Sequence, residues 1–451
     1  MKIQIKVLYL LLIATLNLSQ VNAQNEIEWT GTDEQKLMGL FTIWSEAKFA
    51  FPFFNQIPEV NWDIKVQEYI PKVLASKDVE SYYKVLMEFS ALLNDGHTGV
   101  NPPWGPFKPG FDYPPMEIEI IENKFIITQV GETSEMKAQN VYPGLEILEV
   151  DNINNEKYFE ENVLRFNKRG TKQADEAINL WTLLQGEKDS KVHLKVKDMD
   201  GTIRMVDIIR NSSLNDGSNF YCQMLRWYMI DPILESKLLS DGILYVKISN
   251  FDKEELITEF KKLIQDIDVK AVNGMIIDLR YNPGGESSIA EKMISFLIDK
   301  PISSAVWHIP HYIAADRAWG NDAVWTEIKN TIEPAEGKKY LGPLVILTGS
   351  GTFSSAEDFI VPIHYSKRAV LVGEKTAGSS GNPLRVQLPG GGNFRVVTVK
   401  MTYPDDKEYI GIGIQPDEEI YPTQIDIMNG NDPILVKGIE VLKKWEAYIN
   451  H

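Results

Sequence analysis

Cysteine is almost absent: Cys222 is the only one among 451 residues. One thiol excludes an intramolecular disulfide, so packing must hold the chain together, and Cys222 reads as a small buried hydrophobe. Basic charge is also scarce. Forty-six Lys and Arg stand against 63 Asp and Glu, a net charge of −17. A nucleic-acid binder needs a basic face, so this balance argues against nucleic acid as a partner. Long apolar runs are missing too. A bilayer-spanning helix needs ~18 apolar residues, and residues 7–16 form a shorter run, broken only by Thr15. That run follows Lys2 and Lys6 and precedes Val21-Asn22-Ala23. The order is that of a secretory signal, residues 1–23, cleaved before Gln24; a membrane anchor is the competing reading. The expectation is a periplasmic or secreted protein with no stable membrane span once the signal is removed.

What remains is a globular composition, 43 % apolar and rich in aromatics, long enough for two or three domains. Repeats and low-complexity tracts are absent. Residues 24–105 read as helical, because Tyr82, Val85, Leu86, Phe89, Leu92 and Leu93 recur at spacings of three and four. That helix should stop at Asn94-Asp95-Gly96, leaving His97 in a loop. Residues 106–210 are strand-rich, with short strands at 125–127 and 192–196, a turn–strand–turn at 143–153, and a hairpin signal at Asp200-Gly201. Residues 211–235 read as a linker. From 236 to 425, strands at 242–249, 274–279, 344–348 and 369–373 alternate with helices at 253–266, 286–298 and 354–364, predicting an α/β layered domain. A C-terminal helix closes the chain within 426–451.

The chemistry concentrates in TGSGTFSSAEDF, residues 348–359. A strand, a glycine turn and a helix start would expose a serine hydroxyl beside unpaired N–H groups and the positive end of a helix. Local sequence leaves a plainer alternative open, a capping box from Ser354 to Glu357. A second glycine turn, Pro283-Gly284-Gly285, follows the 274–279 strand. Adjacent glycines offer approachable N–H groups of the kind an oxyanion hole requires, although a plain strand-to-helix turn reads the same. The G-x-G-x-x-G and GK[ST] spacings of phosphate loops are not there.

VILTGSGTFSSAEDF, with DLRYNPGG upstream and VGEKTAGSSG downstream, resembles the C-terminal-processing (tail-specific) serine peptidase family. GLEILEVDNI is similar to a segment of that family's PDZ domain. The resemblance covers nearly all of the chain after residue 23. It implies a crotonase-like (ββα spiral) catalytic core with an N-terminal helical region and a PDZ-like β domain. It also implies Ser354 as nucleophile, three residues before Glu357, with the N–H of Ser355 and one from Gly284 or Gly285 as oxyanion donors. The family's better-known branch takes its base from a lysine, and alignment places Ser379 at that position. Lys375 lies four residues earlier and is the lesser candidate. The DGHT segment, 95–98, instead resembles the histidine-using branch, similar to the tricorn core peptidase, which implies His97 as base. In tricorn the residue before that histidine is a serine that helps to orient it; here it is Gly96, leaving Asp95 as a local substitute. The branch adds an acid upstream of a G-x-x-P-D motif, matched by Gly413 to Asp417, and Glu408 is the nearest.

The other histidines offer less. His364 sits ten residues along the nucleophile's helix, ~15 Å away. His193 lies in a strand and His451 at the terminus. His308 and His311 have no third ligand nearby, so no metal is expected. The expectation is therefore a secreted or periplasmic serine endopeptidase acting on proteins or peptides without a cofactor. Tail binding by the β domain is its less secure part, since Lys108-Pro109-Gly110-Phe111 is only a weak match to a carboxylate-binding loop. A peptide-binding scaffold of the same fold and an esterase-type acyl hydrolase are the rival readings.

Overall fold

The computed structural model describes residues 29–105, 108–212, 232–268, 272–321 and 323–445. The signal at 1–23, Cys222, most of the 211–235 linker and His451 lie outside them. Among the described residues, no helix is long and apolar enough to cross a membrane. The fold is mixed α/β.

Its centre is a six-stranded sheet in the order Leu234–Leu238, Ile243–Ile248, Gly274–Asp278, Leu344–Thr348, Val370–Gly373, Glu418–Glu419. The first pair is antiparallel and the remaining four pairings are parallel. Parallel strands covered on both faces must be apolar throughout, and Gly274–Asp278 and Leu344–Thr348 are buried at every position. Alternation along each strand then divides the core. Met275, Ile277, Leu344 and Ile346 pack with the helices Glu255–Asp266, Ser287–Ile294 and Ser355–Tyr365. Ile276, Val345 and Leu347 face the helix Pro433–Lys443. The strands and helices expected over 242–373 are all present, with ends shifted by a few residues.

The N-terminal region holds the helices Asp33–Ala50, Trp62–Leu74 and Val79–Ala91. The last buries Tyr82, Tyr83, Leu86 and Phe89. It ends through Asn94, whose φ of 47° turns the chain in the left-handed region, two residues ahead of the expected glycine. The chain then forms the strand Gly99–Asn101, which pairs antiparallel with Asn393–Val396. The Tyr83 hydroxyl donates to Pro389 C=O (2.8 Å) and accepts from Gly392 N–H (2.8 Å). These bonds tie the helical region to the segment that precedes Asn393–Val396.

A separate sheet runs in the order Met116–Ile121, Lys124–Val130, Glu146–Val150, Lys191–Lys197, Ile203–Ile209 around its own apolar core. Sequence patterning did not reveal the helix Lys172–Asn179 in this region. Its hydrogen bonds reach the other half: Thr171 donates to Ala377 C=O (2.6 Å) and Gln173 to Thr376 C=O (3.1 Å).

Candidate active site

Two turns at the ends of adjacent parallel strands build the site. After Leu344–Thr348 the chain turns sharply at Ser354, whose φ of 58° and ψ of −127° are sterically costly for a residue with a side chain. The helix begins at Ser355. Ser354 makes no side-chain cap bond to that helix, so the capping-box alternative does not hold. Its Oγ instead lies 2.9 Å from His97 Nε2, across 257 positions of chain. Glu357 is no cap either. It is buried and accepts from Thr376 Oγ1 (2.5 Å), Gly378 N–H (2.8 Å) and Ser379 N–H (2.8 Å).

His97 is 1 % exposed, and its ring stacks on Phe353 at 4.5 Å and 7°. Burial, with the nearby Arg395 and Arg169 charges adding to it, pushes its pKa well below the usual imidazole value. The ring is therefore neutral at pH 7 and able to accept a proton. Both ring nitrogens are engaged: Nε2 by Ser354, and Nδ1 by Ser379 Oγ at 2.8 Å. Ser379 is the position where the lysine-using pattern places its base. A serine stands there in place of the lysine, and its contact with His97 has no local signal in the sequence.

The expected orienting groups are elsewhere. Asp95 accepts the backbone N–H of His97 (2.9 Å), holding the loop and not the ring. Glu408 pairs with Lys400. It lines a cavity of about 280 Å³ with Asn94, Leu93 and Ile410, and is not a partner of His97. Lys375 is likewise not the side chain that meets Ser354 Oγ; His97 is.

The second turn, Asn282 to Gly285, lies against the first. Phe353 N–H donates to Asn282 C=O (3.0 Å). A Cβ on Gly284 would come within 2.6 Å of Ser354 Cβ and 2.7 Å of Ser355 N, and one on Gly285 within 2.4 Å of the Phe251 backbone. Only glycines with their positive φ values, 95° and 142°, allow this approach. The Gly284 N–H is already committed to Asn282 Oδ1 at 2.9 Å. The Ser355 hydroxyl donates to Gly285 C=O (2.6 Å), which fastens the two turns together, while its N–H starts the helix.

Three of the remaining histidines make ordinary polar contacts. His364 Nδ1 meets the Tyr403 hydroxyl at 2.9 Å, His308 Nε2 meets Thr402 Oγ1 at 3.0 Å, and His193 pairs with Asp207 at 2.7 Å. Asp417 accepts Leu371 N–H (2.7 Å), a structural role. Lys108 pairs with Glu80 at 2.7 Å. Among the described residues no group of three or more His, Cys, Asp or Glu is arranged to hold a metal ion.

The chain is similar to several known proteins. The carboxy-terminal processing protease CtpA of Bacillus subtilis is 26 % identical over 185 residues, 40 % of this chain and 35 % of the relative. The chloroplastic C-terminal processing peptidase of Tetradesmus obliquus is 24 % identical over 251 residues, 54 % of this chain and 50 % of the relative. The chain thus spans about a third to a half of the length of these relatives. Among solved structures, mature CPAF complexed with lactacystin superposes with a TM-score of 0.71 at 18 % identity, covering 92 % of this chain and 98 % of that one. The photosystem II D1 C-terminal processing protease gives 0.50 at 16 % identity, over 86 % and 93 %. These likenesses concern the fold. Residues 242–420, the segment that carries Ser354 and both glycine turns, match the model of peptidase family S41.

Proposed function

We propose that this chain is a serine endopeptidase, exported to the periplasm or beyond, that hydrolyses peptide bonds through an acyl-enzyme. The carrying observation is the 2.9 Å contact between Ser354 Oγ and a buried, neutral His97 Nε2 on a strained turn beside two glycines. Ser354 Oγ attacks the scissile carbonyl carbon while its proton passes to His97 Nε2. The carbonyl electron pair moves onto the oxygen, where the N–H groups of Ser355 and of Gly284 or Gly285 receive it. Collapse breaks the C–N bond, and His97 returns the proton to the leaving amine. Water then attacks the ester, again losing a proton to His97, which passes it to Ser354 Oγ as the ester C–O bond breaks and the new carboxyl group leaves. Every proton is carried by His97, so the scheme needs no cofactor.

The central sheet with its turn-borne serine supports reading residues 236–425 as a crotonase-like core. The antiparallel sheet over 116–209 supports a PDZ-like domain that takes a substrate tail as an added strand. The relatives' printed names, carboxy-terminal processing proteases, favour tails as substrates.

A biotinylated fluorophosphonate tests the reading. Wild type and Ser355→Ala should label, whereas Ser354→Ala and His97→Ala should not, with circular dichroism confirming that each is folded. Loss of label with Lys375→Ala and its retention with His97→Ala would replace the base. A folded wild type that takes no label would favour the peptide-binding scaffold. Peptide turnover beside small-ester turnover separates a peptidase from an esterase.

A further inference from the structure

We propose that Ser379 is the positioning residue of His97, its hydroxyl occupying the space that Gly96 leaves by having no side chain. This role rests on His97 acting as the base of Ser354. To accept the Ser354 proton, Nε2 must be bare, so the single proton of the neutral ring sits on Nδ1. That N–H is buried and needs an acceptor. The Ser379 Oγ stands 2.8 Å away. The two carboxylates expected for this task are engaged otherwise, Asp95 by the His97 backbone N–H and Glu408 by Lys400.

Ser379 is itself held from both sides. Its N–H donates to Glu357 Oε2 (2.8 Å), and its C=O accepts from Ser354 N–H (2.9 Å). One residue therefore touches the nucleophile's backbone, the base's ring and the buried carboxylate beneath them. The loop that carries it is tied down by Thr171 and Gln173. The space is supplied from the other side of the contact. A Cβ at position 96 would lie 2.7 Å from Ser379 Oγ, 2.9 Å from its Cβ and 2.6 Å from the Phe353 ring. Glycine at 96 and serine at 379 are thus one device, although 283 positions separate them. Phe353 fixes the plane of the ring by stacking, and Ser379 fixes its rotation within that plane. A hydroxyl orients without bringing negative charge to the imidazolium, in keeping with the lowered pKa of His97.

The experiment is nitrogen-15 NMR of histidine-labelled full-length protein, with His97 assigned by the signal lost in His97→Gln. Wild type at pH 7.5 should show His97 as the Nδ1–H tautomer with a slowly exchanging ring proton. Ser379→Ala should mix the tautomers, expose that proton to exchange, and lower kcat by about 100-fold with KM changed less than threefold, as expected for a misplaced base. Ser379→Thr, which keeps the hydroxyl, should restore the tautomer and most of kcat. Gly96→Ala, which drives a methyl group into Ser379, should reproduce the Ser379→Ala spectrum. An Nε2–H tautomer in wild type overturns the proposal, as does Ser379→Ala with unchanged spectrum and kcat. The spectra need no turnover. An Nδ1–H tautomer in a protein that no fluorophosphonate labels would refute the peptidase reading while leaving the orientation by Ser379 standing.

Discussion

The site and the sheet over residues 116–209 use polar groups in opposite ways. In the sheet most charges lie outside the apolar core in pairs, such as Lys195 with Glu149 (2.9 Å) and Arg204 with Asp198 (3.0 Å), with Glu117 as a buried exception. Around Ser354 the polar groups are inside. Asp95, His97, Glu357 and Asp358 are all buried, and each is held by hydrogen bonds. Buried ionisable groups cost stability unless paired, and surface pairs contribute little. The molecule accepts that cost around Ser354, where a neutral histidine and a fixed loop are needed. The two histidines His97 and His193 make the point directly: one is buried between two serines, the other exposed beside Asp207.

This contrast can be broken most severely at the turn. Gly284→Ala should abolish turnover, because its Cβ would meet Ser354 and Ser355 at 2.6–2.7 Å and its φ of 95° disfavours any side chain. Rates beside those of Ser354→Ala measure it, and residual activity above a tenth of wild type would contradict the packing. Next in size is Glu357→Gln. An amide must turn one N–H group toward a donor that the carboxylate now receives, so stability should fall by about 1–3 kcal/mol in urea unfolding.

The same carboxylates predict an alkaline dependence. Burial pushes Glu357 up to about 8 and Asp358 to about 6, above their unfolded values. A raised folded pKa gives stability that is full at low pH and lost as pH rises through the folded value. For Glu357 the window runs from 4.5 to about 8. Melting temperatures between pH 5 and 9 should decline toward the alkaline side in wild type and decline less in Glu357→Gln. His97 works in the other direction. Its pKa is depressed, so its linked stability is present above ~6.5 and is lost as pH falls below that value. The acid limb of kcat/KM should accordingly lie below pH ~6.5; a midpoint above it would mean that an anion faces the ring in solution. The smallest effect belongs to the sheet. Lys195→Ala should cost no more than ~1 kcal/mol, because that pair is about one-third exposed and solvent-screened.

Local pattern was enough for much of the architecture. Apolar runs and glycine turns marked the strands and helices from 242 to 373, because parallel strands buried on both faces must be apolar and turns must tolerate positive φ. The regions left unread include the hairpin of Val306–His311 with Val324–Ile328, where Pro310 interrupts one strand and the apolar residues of the other are exposed.

The site divides in the same manner. Sequence alone determined that Ser354 stands at a strand-to-helix turn with a second glycine turn upstream, since both are local backbone requirements written in consecutive residues. Resemblance singled out His97. Only the tertiary structure decided what His97 touches. Its partners are 257 and 282 positions away, and they meet it because Gly99–Asn101 pairs with Asn393–Val396 and because glycine at 96 leaves room for a hydroxyl. Hydrogen bonds act over about 3 Å in space, and chain separation carries no record of which distant loops the fold will bring that close.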